Sequence, residues 1–194
     1  MKQIIKPYEK ATPQHIIQKF GVNPMQHQPN GHTGIDFWFA GCFGEKLLSP
    51  ARCEVVSITT SYEFADNFLP KFGRGFGILL QDLDDAKYQY LLWHCAPVFP
   101  VRVGAIVQQG EPVAQLGNSG LSFSVVNGQW IAQPLAVKAT NTNKGAHLHF
   151  EVREWGKYID PLPMIDWGAT IKYDNISATS KFIQGIIDLI KRRK

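Results

Sequence analysis

Two histidines one residue apart, in the segment His147-Leu148-His149-Phe150-Glu151-Val152-Arg153, are the residues of this chain best placed to do chemistry. Alternation of polar and apolar residues reads as a β-strand, and its period of two puts His147, His149, Glu151 and Arg153 on one face. Leu148, Phe150 and Val152 then fill the opposite, buried face. Positions two apart on a strand stand about 6.5–7 Å from each other, close enough for one imidazole to hold a metal ion and its neighbour to work beside it. Upstream, Gly31-His32-Thr33-Gly34-Ile35-Asp36 offers a neutral nitrogen and an anionic oxygen, a mixed set that suits zinc. On a straight strand these two side chains would lie roughly 13 Å apart, so the chain has to turn between them, and Gly34 is expected to permit the turn. His32, Asp36 and His149 then make three protein ligands with a fourth position open to water, the arrangement of a hydrolytic rather than a structural zinc site.

The other chemically able residues have plainer readings. His15 and His27 lack a motif around them and read as structural. Glu151 lies two residues beyond His149 and is expected in a salt bridge rather than as a base. Cys42, Cys53 and Cys95 form no Cys-x-x-Cys pair and are odd in number, which excludes a full disulfide framework and points to free, buried thiols. Cys95 follows His94 directly, and strand neighbours point to opposite faces, so Cys95 should turn away from any site that His94 faces.

Taken in chain order, the motifs resemble the lysostaphin and LytM-type zinc metallopeptidases. The His-x-x-x-Asp of His32 and Asp36 comes first. Gly73-Arg74-Gly75-Phe76-Gly77-Ile78-Leu79-Leu80 is similar to the glycine-marked strand of that family, and Leu91-Leu92-Trp93-His94 to the strand with its other active-site histidine. The stretch 101–120, with its valine-glycine hairpin and terminal Gly117-Asn118-Ser119-Gly120, and then His147-Leu148-His149-Phe150-Glu151-Val152, complete the order. The resemblance runs from about residue 20 to residue 160. It implies one zinc ion on His32, Asp36 and His149, with His94 and His147 handling protons or stabilising the oxyanion. It also implies an endopeptidase acting on amide bonds in the peptide stems or cross-bridges of bacterial peptidoglycan; a catalytically silent wall-binding or amidase-regulating relative is the alternative. Two departures stand out. Residues 122–146 form a long insertion, read as a wall or lid of the substrate groove or as a surface elaboration. Leu92 stands where relatives often have tyrosine. Asn23, in a Val-Asn-Pro turn, reads as a turn residue rather than as the asparagine that caps the metal in latent relatives.

The elements needed to position these residues are mostly strands. Residues 52–60, 77–83, 88–93, 105–107, 112–116 and 147–153 show β-branched or alternating character bounded by Gly, Pro or Asn. A mainly β, antiparallel β-sheet domain of the lysostaphin/LytM type, akin to a duplicated hybrid motif, is therefore expected. The divisions expected are an N-terminal arm at 1–20 with a short helix at 13–20, a metallopeptidase domain at 21–167, and a C-terminal tail at 168–194. In that tail Phe182, Ile183, Ile186, Ile187 and Ile190 recur at helical spacing before four basic residues, an amphipathic helix expected to pack on its own domain, with membrane or virion contact as the sharper alternative. A chain of 194 residues suffices for one catalytic domain, and a monomer is expected. The net charge of +4 suits an anionic polymer such as a cell wall, and without a basic stripe or a nucleic-acid motif no nucleic-acid partner is expected. The first ten residues lack the apolar stretch of a secretory signal. Synthesis in the cytoplasm is expected, with delivery to the wall as a bacteriophage lysin or virion-associated enzyme.

Overall fold

The computed structural model describes residues 2–22, 30–59, 73–127, 129–133 and 135–169; His27, Asn23 and the amphipathic segment 176–194 lie outside the described residues. The strands are β1 (Ile4–Ile5), β2 (Ile16–Gln18), β3 (Ile35–Phe37), β4 (Lys46–Leu48), β5 (Cys53–Thr59), β6 (Gly77–Asp82) and β7 (Tyr88–Trp93). There follow β8 (Ile106–Val107), β9 (Pro112–Gln115), β10 (Phe123–Val126), β11 (Gln129–Ala132), the helix α1 (Leu135–Thr140), β12 (Leu148–Glu154), β13 (Lys157–Ile159) and β14 (Ile165–Asp166). Each of the six strands expected from the sequence is present to within one or two residues at its ends.

The main sheet has the order β2-β3-β12-β7-β6-β5-β8, with β13 also pairing to β12, and every pairing in it is antiparallel. Within it, β12 is flanked by β3 and β7. The alternation read from the sequence holds there. Leu148, Phe150 and Val152 join Tyr88, Tyr90 and Leu92 of β7 and Ile35 and Phe37 of β3 in the core, while His149 and Glu151 face the other way. The small sheet β4–β9 closes the core from below with Leu47, Val113 and Ala114. Burial of side chains of this size, at about 1.5–3 kcal/mol each, is what holds strands this short in place.

Two local outcomes differ from expectation, and a third fills in a segment whose form was left open. Only Pro13–His15 of the anticipated helix is helical, as one 3-10 turn, and Ile16–Gln18 instead pairs with β3. Two adjacent β-branched residues beside an unpaired strand edge favour the extended form over continuing the turn. The N-terminal residues are integral to the fold: Ile4, Tyr8 and Ala11 sit in the same core as β12, and β1 pairs in parallel with β14. Residues 122–146 fold as the hairpin β10–β11 followed by α1. Among the described residues no helix is long and apolar enough to cross a membrane.

Candidate functional site

Register explains how residues far apart in sequence meet. Asp36 of β3 pairs directly with His149 of β12, and His149 pairs on its other side with Trp93 of β7, so the three form one row on the face opposite the core. Directly opposed side chains in an antiparallel sheet are close neighbours, with Cβ atoms about 4.5–5.5 Å apart. His32 reaches the row from the segment before β3. Its backbone is pinned by the exchange between Gly21, Val22 and His32, and its Nδ1–H donates to the Lys19 carbonyl at 3.1 Å. That bond leaves Nε2 as the acceptor nitrogen, facing the row.

Gly34 serves a purpose other than the one its type first suggests. Its backbone is outside the left-handed region. A Cβ there would fall 2.2 Å from the Phe150 carbonyl oxygen and 3.0 Å from Cγ of Glu151. The glycine lets β3 and β12 close up and leaves room for Glu151, so its requirement is steric rather than torsional.

The three expected ligands converge. His32 Nε2 is 2.9 Å from His149 Nδ1 and 3.1 Å from Asp36 Oδ1, and His149 Nδ1 is 2.7 Å from Asp36 Oδ1. All three residues are buried and form the one group of His, Cys, Asp or Glu among the described residues with metal-holding geometry. The electrostatics call for a positive charge at this point. Burial alone would raise Asp36, yet the imidazoles of His147, His149 and His32 hold its carboxyl well below the usual carboxylate range. Burial would lower His149, but hydrogen bonds to Asp36 and Glu151, one on each ring nitrogen, raise it to about 9. A divalent cation bound by the same three atoms would displace that proton, which is the ordinary competition at a metal site. One carboxylate oxygen and two imidazole nitrogens form a donor set that zinc accepts, so the residues fit the ion.

The two further histidines lie beside this cluster. His147 Nε2 is 3.8 Å from Asp36 Oδ2, and the rings of His94 and His147 are 4.4 Å apart at their centroids. Each is oriented by a backbone carbonyl. His94 Nδ1–H donates to Ser119 O at 2.7 Å and His147 Nδ1–H to Gly145 O at 2.9 Å, so each turns an unprotonated Nε2 elsewhere. Burial lowers both, and His94 falls well below the ordinary histidine value, reinforced by its neighbours His147 and His149. Both are neutral near pH 7 and able to accept a proton.

His94 occupies its place through a break in strand alternation. Continuing from Leu92, which is in the core, the period of two would send His94 into the core as well. Instead His94 has φ of 60°, in the left-handed region, and turns to the site, while Cys95 goes to the core, where its Sγ donates to Leu92 O. Burial pushes the Cys95 thiol up, away from thiolate. Cys95 thus turns away from the site, but through the twist at His94 rather than through alternation. Two glycine motifs hold this turn. Gly75 and Gly120 both have positive φ, and a Cβ on either would lie 2.4–2.5 Å from the backbone nitrogen of the other. His94 N–H donates to Arg74 O, Ser119 Oγ bridges the Phe76 N–H and the Cys95 carbonyl, and Leu121 N–H closes on Gly73 O. The insertion is anchored on the same turn: the Asn118 amide donates to carbonyls of Lys138, Thr142 and Lys144, and buried Lys138 donates to Gly120 O.

Glu151 is the residue that sequence reasoning undervalued. It makes the expected ion pair, with Arg74 Nη2 at 2.9 Å, but it is fully buried and also accepts from His149 Nε2 at 3.0 Å, Thr33 Oγ1 at 2.6 Å and Trp93 Nε1 at 3.0 Å. Burial would raise its carboxyl; these donors and the Arg74 charge bring it down to about 2. Its spacing of two from His149 on one strand face was the available signal. His15, by contrast, hydrogen-bonds Tyr8 and stacks on Phe39, in the structural role expected of it.

A family model described as Peptidase family M23 matches residues 30–161. Among solved structures, the catalytic domain of the antimicrobial peptidase lysostaphin from Staphylococcus simulans is similar with a TM-score of 0.53, at 19% identity over 76% of this chain and 89% of that one. LytU is similar with a TM-score of 0.53, at 24% identity over 81% of this chain and 88% of its own. A zinc-containing peptidase from Vibrio cholerae gives 0.54 at 21% identity, covering 89% of this chain and 40% of that one. At these identities the likeness is one of fold. No curated protein sequence matches the chain.

Proposed function

This chain belongs to peptidase family M23, and on that premise we propose that it is a zinc-dependent endopeptidase that hydrolyses amide bonds in the peptide stems or cross-bridges of bacterial peptidoglycan. The observation that carries the proposal is the convergence of five groups on one face of the sheet: three donor atoms at 2.7–3.1 Å from one another, and two neutral histidines beside them. Lysostaphin, among the structures of similar fold, is named an antimicrobial peptidase, which agrees with a wall substrate.

His32, Asp36 and His149 would hold the ion. Bound there, zinc supplies Lewis acidity, bringing the pKa of a coordinated water to about 7 and polarising a carbonyl. Everything else is done by side chains of the protein. His147 presents Nε2 beside Asp36 Oδ2, whose charge favours the protonated form of the ring, so His147 is the group that takes the proton from water and returns it to the leaving amine. His94 packs against it, held by Ser119 O through Nδ1–H, and its unprotonated Nε2 is a second proton acceptor that could serve the carbonyl oxygen as a donor only after taking up a proton. Glu151 has no exposure, whereas the five groups named keep 4–9% each, so Glu151 stands behind the reacting face rather than on it.

The test is to incubate zinc-loaded protein with purified bacterial cell walls and measure turbidity together with newly released amino termini. Clearing with amine release, lost on chelation and restored by zinc, is expected. Wall binding without amine release would instead identify a silent relative.

A further inference from the structure

Four donors converge on the Glu151 carboxylate from four separate segments. Thr33 lies in the segment that carries His32, Arg74 in the glycine-rich turn before β6, Trp93 at the end of β7 and His149 on β12. Three of them meet Oε1 and Trp93 alone meets Oε2. Arg74 itself stands between the rings of Trp93 and Tyr158, 5.6 Å from each centroid, and also donates to the Tyr158 hydroxyl, so its guanidinium is fixed from both sides. Arg153 donates to the same hydroxyl. So much order around a carboxylate that stands behind the metal ligands calls for a purpose.

We propose that Glu151 is a positioning residue for the metal: it holds one proton of His149 on Nε2, so that Nδ1 is the nitrogen that yields its proton to an ion shared with His32 Nε2 and Asp36 Oδ1. An ionised carboxylate has lone pairs and no hydrogen to give. It only accepts, so the shared atom between His149 and Glu151 is a hydrogen on Nε2. With Nε2 protonated, Nδ1 is left to the ion. Thr33 extends the effect, because the same oxygen that orients His149 also tethers the residue next to His32, which couples the two ligand-bearing segments through one atom. Partners of this kind, on the far nitrogen of a ligating histidine, tune metal affinity by about 10–100-fold. An amide is a poor substitute. In Glu151→Gln the carbonyl oxygen can serve His149, Thr33 and Arg74 only if the NH2 meets Trp93 Nε1–H, donor against donor in a buried space.

This inference rests on the reading of His32, Asp36 and His149 as metal ligands, and the experiment separates the two. Zinc affinity is measured by chelator competition for wild type, Trp93→Phe, Glu151→Gln and the double variant, alongside thermal melts of the metal-free forms. The double variant removes the donor conflict, so its melt should return toward that of Trp93→Phe while its zinc affinity stays about 10–100-fold lower. In NMR spectra of the zinc-loaded protein, the His149 Nε2–H resonance should shift upfield in Glu151→Gln and exchange faster with solvent, as a charged acceptor gives way to a neutral one. Affinity and resonance both unchanged in the double variant relative to Trp93→Phe would overturn the proposal for Glu151. A wild-type protein that binds no zinc would overturn the metal site itself.

Discussion

At the scale of single residues, two histidines on one strand, separated by Leu148, have different work because different atoms face them. His149 has a donor-set partner on Nδ1 and a buried carboxylate on Nε2. His147 gives Nδ1–H to a backbone carbonyl and keeps Nε2 near Asp36. Substituting them should therefore separate binding from turnover. His149→Ala is expected to lose both bound zinc and wall clearing. His147→Ala should keep a full equivalent of zinc by elemental analysis while amine release falls about 10²–10⁴-fold, the usual contribution of a general base. The spacing of His-x-His already allowed one imidazole to hold an ion and its neighbour to work beside it, and the family resemblance gave the metal to His149 and the proton handling to His147. The reason for Gly34 was not legible: its glycine character marks a close approach to Phe150, and sequence reads that no differently from a turn.

Among the elements, β6 and β7 show how a strand pair is stitched to a distant end of the chain. Asp82, at the end of β6, is fully buried; its Oδ1 accepts the backbone N–H of Asp84 and Asp85, and its Oδ2 meets Tyr90 and Lys2 at 2.6 Å each. Burial would raise its carboxyl, but Lys2, Tyr90 and the two amides outweigh burial and lower it below 3.8. A folded-state value below the unfolded one contributes stability that is present above about pH 4 and lost as pH falls through the folded value. Wild-type urea midpoints should accordingly drop below pH 4, and Asp82→Asn, less stable at pH 6 by about 1–3 kcal/mol, should show a smaller drop over that interval. Strand positions such as β7 and β12 were legible because half-buried strands alternate. The left-handed turn at His94 was not, because a single φ of 60° follows from Ser119, Arg74 and the packed glycines 75 and 120, which lie on two other segments. The folded insertion was missed for a related reason: β10 and β11 pair only with each other, and α1 is a short helix whose C-terminal end is tied down by Asn118 from outside it.

For the molecule as a whole, the core does not begin where the family match begins. Residues 30–161 carry the match, yet Ile4, Tyr8 and Ala11 are 0–2% exposed within the same cluster as Phe150. Removing large buried side chains costs about 2–5 kcal/mol each, against a total of about 5–15 kcal/mol for a domain. A chain beginning at residue 12 should lose its cooperative thermal transition, whereas one trimmed only of Met1 should melt as the full chain does. The three cysteines are all buried and free, so reductant should leave the melt unchanged.

Pattern by itself determined the mainly β class of fold, the central strands and the shared face of His147, His149 and Glu151, while His32 and Asp36 stood out as a metal-ligand pair and His94 was picked out by the family resemblance. The first of these follow from local rules, period-two alternation and the donor chemistry of His and Asp, that hold wherever the strands end up. Only the tertiary structure decided that Glu151 stands behind His149, that Arg74 and Trp93 keep it there, that His94 leaves the strand to reach the site, and that Ile4, Tyr8 and Ala11 belong to the core. Each of these depends on which segments become neighbours, and neighbourhood is set by the pairing of the whole sheet, to which no short stretch of chain has access.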